Sequence, residues 1–167
     1  MSWTLKEIIQ GKPMGHPTHP ATVHFPIALY TTALGLDVVS RIGHFREAPV
    51  AATWVMLGAL IAAVGVITTG MVDWSTMRPG SRVRKVANRH LAFQLTSTAI
   101  VLVNLVIRWG SRYQARADAM WIVLDAVAVG LVMAGAYLGG VMVYQIGFRV
   151  GDASHRTRDD GSPADEG

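Results

Sequence analysis

The residues best suited to chemistry are histidines, and three of the six in the chain stand within nine positions. His16, His19 and His24 lie in the segment GHPTHPATVHFP, residues 15–26, which also contains three prolines. Imidazole is a common ligand of transition metals and of haem iron. This segment is therefore the first place to expect a cofactor or a metal ion.

The prolines predict the local conformation of this segment. Pro17 and Pro20 each disfavour the helical region for the preceding histidine, so the segment is predicted to be extended. Pro26 is tolerated in a helix only within the first turn, which predicts a helix start near Val23 or His24.

The elements that must position these histidines are long apolar runs. Residues 51–72 and 91–107 carry no charged side chain, and residues 21–39 and 119–144 carry one aspartate each. Runs of this length are typical of bilayer-spanning helices. We therefore predict an all-α fold, an up-down four-helix bundle in the membrane, preceded by an extended segment rich in proline and histidine.

Composition narrows the class of protein further. Of the 167 residues, 51% are hydrophobic and 16% are charged. The absence of cysteine excludes thiolate-ligated iron–sulfur clusters, covalently attached haem and disulfides. The basic pI of about 9.9 is explained by basic residues that flank apolar spans, so no nucleic-acid partner is expected.

The predicted organisation has three parts. Residues 1–20 form an N-terminal interfacial segment without the apolar core of a cleavable signal peptide. Residues 21–150 form the four-span domain, and residues 151–167 form a disordered tail. The side that holds both termini and the second loop carries ten lysines and arginines against five on the other. This bias predicts a multi-pass protein of the bacterial inner membrane with both termini in the cytoplasm.

An up-down bundle gathers several polar residues at one membrane face. The starts of spans one and three and the ends of spans two and four lie there, with these residues: His16, His19, His24, Asp73, Trp74, Arg78, His90 and Tyr144. Spans one and three form a diagonal of about 14 Å. Two histidines reaching inward across that gap would suit one haem iron.

The leading hypothesis is a small b-type cytochrome or redox subunit with His24 and His90 as axial ligands. Gln94, in a polar stripe below His90, and Tyr144 complete the predicted cofactor-binding set. Small residues below His24 (Ala28, Thr31 and Gly35) would leave room for a flat group. The expected partners of such a redox subunit are the bilayer, a quinone or an iron–sulfur protein, and a second copy of the chain.

Two other readings of the same residues stay open. A zinc or iron ion could be held by imidazole and carboxylate, with these candidate ligands: His16, His19, His24, His90 and Asp73. Alternatively, the histidines only make hydrogen bonds at a polar bundle mouth, and the protein is a structural or assembly subunit without a cofactor. No nucleophile–base pair or phosphate loop indicates an enzyme, so a redox-active chain would be an electron carrier.

Two intramembrane carboxylates lie at similar depth near the opposite face. Asp37 is about six residues from the end of span one, and Asp125 about six from the start of span four. Such groups are candidates for proton relay. The alternative is an ion pair with Arg41 or Arg46.

Four motifs resemble, in order, those of a bacterial membrane protein family known as domain of unknown function 2231. They are GHPTHPATVHFPIAL at residues 15–29, GMVDW at 70–74, RH at 89–90 and LGGVMVY at 138–144. The resemblance covers about residues 10–151 and implies a four-helix inner-membrane protein. Some relatives carry a Rieske iron–sulfur domain, which implies electron transfer. Relatives often continue after the tyrosine with Arg-His-Gly, where this chain has Gln145, Ile146 and Gly147, and this departure shifts weight onto His24 and His90.

Overall fold

The computed structural model describes residues 2–148. Over this range the chain is helical and contains no strand. The helices are α1 (Leu5–Ile9), α2 (Thr18–Thr22), α3 (His24–Ile42), α4 (Ala48–Thr76), α5 (Arg82–Arg108) and α6 (Ala119–Gly140). Single 3₁₀ turns follow α1 and α5, and a π-helical turn, Val141–Gln145, continues α6.

Four helical stretches are long and apolar enough to cross a bilayer. The shortest, Thr18–Ile42, combines α2 and α3 and has 25 residues. At 1.5 Å per residue it spans about 38 Å, more than the hydrocarbon core of about 30 Å. Large apolar side chains such as Ile61, Val64 and Val106 are about two-thirds exposed on the bundle surface, as lipid-facing positions require. The predicted four-helix membrane fold is confirmed.

The four long helices occupy the corners of a square. Helix α3 packs against α4 and α6, and α5 packs against the same two helices, so α3 and α5 form a diagonal. Small core residues such as Ala33, Ala52, Ala59 and Ala128 let the helices approach closely. Two hydrogen-bonded pairs cross the α3–α5 diagonal: Tyr30 with Thr98 at 3.3 Å, and Asp37 with Arg108 at 2.7 Å near one end.

The segment before α3 differs from the predicted extended strand. Pro17 is extended, with φ −68° and ψ 123°, but it is followed directly by the short helix α2. Pro20 is the third residue of α2, within the first turn, where its missing N–H has no helical partner to lose. The restriction on His19 is therefore overridden, and α2 packs against α4. The predicted helix start at His24 is confirmed for α3.

A capping box between Thr4 and Glu7 caps the N-terminus of helix α1. The Thr4 backbone N–H, and then the ammonium of Lys12, lower the pKa of the Glu7 carboxyl from 4.5 to about 2. Trp3, Leu5 and Ile8 remain exposed. A position at the membrane interface stays a prediction for this segment.

The connection between α4 and α5 is shorter than the sequence pattern indicates. It comprises residues 77–81 instead of 75–88, with Gly80 at φ 79° in its turn and the Ser81 hydroxyl capping α5. Helix α5 therefore begins at Arg82, and His90 lies two turns inside it. The predicted tail, residues 151–167, lies outside the described residues.

Candidate functional site

One histidine from each of the diagonal spans meets at the bundle end that is near the N-terminus. His19 of α2 and His90 of α5 have ring centroids 6.4 Å apart, with ring planes at 87°. Both rings are partly buried among the four long helices. The predicted meeting of two diagonal imidazoles therefore occurs, but with His19 in the place of His24.

Each ring is held by a backbone carbonyl of a neighbouring span. His19 Nδ1 lies 3.0 Å from the Val66 carbonyl oxygen, and His90 Nδ1 lies 2.7 Å from that of Gly135. A carbonyl oxygen only accepts hydrogen bonds, so each Nδ1 carries the hydrogen. In a neutral imidazole this leaves the lone pair on Nε2. Metal-binding histidines typically show this same anchoring of the second ring nitrogen.

Glycines make space for these side chains. A Cβ on Gly70 of α4 would lie 2.7 Å from His19 Cε1, so only glycine fits there without moving the ring. A Cβ on Gly139 of α6 would contact His90 at an ordinary 3.6 Å. Gly70 and Gly139 belong to two of the sequence motifs, and His19 and His90 to the other two. The fold thus brings the four motifs together around the imidazole pair.

Gln94 lies one turn from His90 on the same face of α5. Its Nε2 donates to the Val132 carbonyl at 3.3 Å, and its side chain packs on Gly135. The predicted polar stripe on α5 therefore faces the bundle, and Ser97 and Asn104 further along it are fully buried.

Three other predicted site residues are exposed on the surface. His16 and His24 are exposed, and Tyr144 is 89% exposed. The α3 face that carries His24 (Ala28, Thr31 and Gly35) is exposed as well, because the inward face of α3 carries Tyr30, Ala33, Asp37 and Ser40. Asp73 is buried near the end of α4. Within residues 2–148 no three of the His, Asp and Glu side chains cluster as a metal-binding group.

A second polar cluster lies at the opposite end of the bundle and is centred on Arg108. Its guanidinium binds both carboxylate oxygens of Asp37, at 2.7 and 2.8 Å, and donates to the Pro49 carbonyl at 3.0 Å. The Trp121 ring lies 4.4 Å from the guanidinium carbon. Arg108 and Asp37 are both fully buried, so this ion pair joins α5 to α3 inside the bundle.

Asp125 of α6 completes this cluster. One carboxylate oxygen accepts from Asn104 Nδ2 at 2.7 Å, and the other lies 3.9 Å from Arg108 Nη1. The similar depth predicted for Asp37 and Asp125 is confirmed. The predicted ion pair with Arg41 or Arg46 is wrong, since both arginines are exposed and Asp37 pairs with Arg108 instead.

The sequence pattern alone does not identify Arg108 and Trp121 as members of this cluster. Arg108 falls among the five basic residues assigned to the far side. The signal for Arg108 was available, since it follows Asn104 by four positions and so continues the stripe of His90, Gln94 and Ser97 on the inner face of α5.

The fold and both polar clusters define a four-span helical membrane protein with an ionisable interior. Residues 15–152 match the family described as predicted membrane protein DUF2231, and the chain belongs to this family. The predicted resemblance is confirmed. No curated protein and no solved structure matches the chain.

Proposed function

We propose that the protein is a small haem b-binding electron-transfer subunit in which His19 and His90 would hold the haem iron. The observation that supports this proposal most strongly is the geometry of the two rings. The ring centroids of His19 and His90 lie 6.4 Å apart, and each Nδ1 is hydrogen-bonded to a backbone carbonyl, which leaves the Nε2 lone pair of each ring for a metal. One metal centre could therefore be held by both imidazoles.

The donor set favours haem over an isolated ion. Haem iron receives four nitrogen ligands from its porphyrin, so two imidazoles complete its coordination. A structural zinc site usually needs four protein ligands and a catalytic one three. Haem iron, when bound, would supply one-electron transfer.

The protein residues would fix the two ligands rather than take part in the transfer. The carbonyls of Val66 and Gly135 orient the rings and keep both Nε2 lone pairs available. Because Gly70 has no Cβ, the His19 ring can lie close to the backbone of α4. Together these contacts would hold the ligands before the cofactor binds.

We place the protein in the bacterial inner membrane with both termini cytoplasmic. Basic side chains support this orientation, because Arg108 is buried and only four of the five cationic residues assigned to the far side remain accessible there. The histidine pair would then face the cytoplasmic end. An iron–sulfur protein or a quinone is the class of partner that fits there.

Absorption spectra of the purified chain, oxidised and then reduced with dithionite, test the proposal. We expect a Soret band that sharpens and shifts on reduction in the wild type. It should be lost or strongly weakened in H19A and H90A, because each removes one axial ligand. The matched control is H24A, which should keep the wild-type spectrum, since His24 is exposed.

A colourless wild-type protein produced with sufficient haem would contradict the proposal. Stoichiometric zinc or iron in that colourless protein would favour a non-haem metal site, and a metal-free protein would favour a structural subunit. Loss of the band in H24A but not in H19A would overturn the assignment of ligands.

A further inference from the structure

The Arg108 cluster holds more acidic groups than basic ones. Asp37 and Asp125 are at most 3% exposed and face one guanidinium. From the other packed helices, α5 adds Asn104, and α4 adds the Pro49 carbonyl and the Met56 sulfur, none of which is charged. If both carboxylates were ionised, the bundle interior would carry one uncompensated negative charge, which is costly in a site of low dielectric.

The hydrogen bonds identify where the imbalance lies. Asp37 uses both oxygens in its bidentate contact with Arg108. Asp125 Oδ1 accepts from Asn104, whereas the buried Asp125 Oδ2 has no hydrogen-bond partner. Asp37 Oδ2 and Asp125 Oδ2 both lie beside Arg108 Nη1, at 2.7 and 3.9 Å, so the two carboxyl groups are neighbours. One carboxyl group that donates to the other would satisfy both the unpaired oxygen and the charge balance.

We propose that Asp37 and Asp125 form a proton-binding site that holds one exchangeable proton at neutral pH. The proton resides on Asp125 Oδ2 and is donated in a hydrogen bond to the Asp37 carboxylate, which keeps its negative charge beside Arg108. When the proton leaves, the site gains one negative charge, and uptake restores neutrality. The ligand is thus a proton, and the site is independent of the proposed haem ligands at the other end of the bundle.

Infrared spectroscopy of the full-length protein in lipid tests this proposal. A protonated carboxylic acid has a C=O stretching band that a carboxylate lacks. We expect the wild-type spectrum at neutral pH, minus that of D125N, to contain this band, and we expect a small downshift in deuterated water. The matched control is D118N, which changes an exposed aspartate at the start of α6 and keeps a good capping residue.

The D37N variant distinguishes a shared site from an isolated acid. With Asp37 neutral, Asp125 becomes the only carboxylate near Arg108 and should ionise, so its band should disappear. If D125N fails to fold, D125E should keep a carboxylic acid band at a shifted frequency. An unchanged spectrum in D125N, or a D125E spectrum without such a band, would overturn the proposal, and so would a band that persists in D37N.

Discussion

At the scale of single residues, Arg108 links the two diagonal helices α5 and α3. Its bidentate pair with Asp37 is fully buried, and removing one member of such a pair leaves an uncompensated buried charge. We expect R108Q to lower the free energy of unfolding by about 3–5 kcal/mol. Thermal or denaturant unfolding in detergent, followed by circular dichroism, measures this change.

Arg112 provides the matched control for that substitution. It lies one turn further on at the bundle surface, where it stacks on Trp109 at 4.7 Å and donates to its carbonyl. The R112Q variant should change the free energy of unfolding by no more than about 0.5 kcal/mol. Equal stability losses in R108Q and R112Q would show that the buried pair has no special role.

Gly70 is the residue whose size should matter most for the histidine pair. In G70A the new methyl group would lie 2.7 Å from His19 Cε1, so the rigid ring must leave its position. We expect G70A to lose most of its bound haem while the helical content is unchanged. Haem per protein, from absorbance, checks this expectation.

Gly65 on the same helix serves as the comparison for Gly70. A Cβ there would meet no atom within 4 Å, so G65A should bind haem like the wild type. Haem content that is normal in G70A would argue against His19 as a ligand.

Residue identities in the sequence revealed which groups were chemically interesting, but not which way they point. His24 and His19 are five positions apart and so differ in helical direction. The choice between them depends on whether Pro20 keeps His19 extended or stands in the first turn of a helix that includes His19. Arg108 was missed because a charge beside Trp109 at the end of an apolar run resembles an ordinary loop residue.

At the scale of helices, the four spans could be predicted because uncharged runs of about 20 residues have few other structures available. The start of α5 could not be predicted, because the apolar pattern that marks a span is interrupted there by four basic residues: Arg82, Arg84, Lys85 and Arg89. These residues are nevertheless helical: Ser81 caps the helix, and Arg84 packs 3.3 Å from the centroid of the Trp74 ring.

Close packing of α5 against α6 should depend on Gly135. A Cβ there would lie 2.6 Å from Gln94 Nε2 and 3.0 Å from its Cδ. We expect G135A to destabilise the bundle by about 1–3 kcal/mol, the usual cost of overpacking. Unfolding measurements in detergent test this value.

The control for this substitution is G130A on the same helix, where a Cβ would meet no atom within 4 Å. Because alanine is a better helix former than glycine, G130A should be neutral or slightly stabilising. A G135A variant as stable as G130A would contradict this expectation and mean that the Gln94 side chain moves aside at little cost.

At the scale of the whole molecule, two ionisable clusters lie at opposite ends of the bundle. The up-down order of four spans could be predicted, and so could the end at which each motif lies. The contacts between neighbouring helices could not be predicted, because apolar spans such as α4 have no clear polar face in their sequence.

The orientation in the membrane can be measured in intact bacterial cells. The natural chain contains no cysteine, so single-cysteine variants have no background. We expect an impermeant thiol reagent to label R46C without permeabilisation, and R78C only after it, because the two exposed positions lie at opposite ends. The reverse labelling pattern would place the termini outside the cytoplasm.

The most direct test of the account is the electron paramagnetic resonance spectrum of the oxidised, haem-loaded wild-type protein. With two imidazoles on the iron, we predict a low-spin ferric signal that becomes high-spin or disappears in H19A and H90A but persists in H24A. A high-spin wild-type spectrum, or a low-spin signal unaffected in H19A, would contradict the claim that His19 and His90 share one iron.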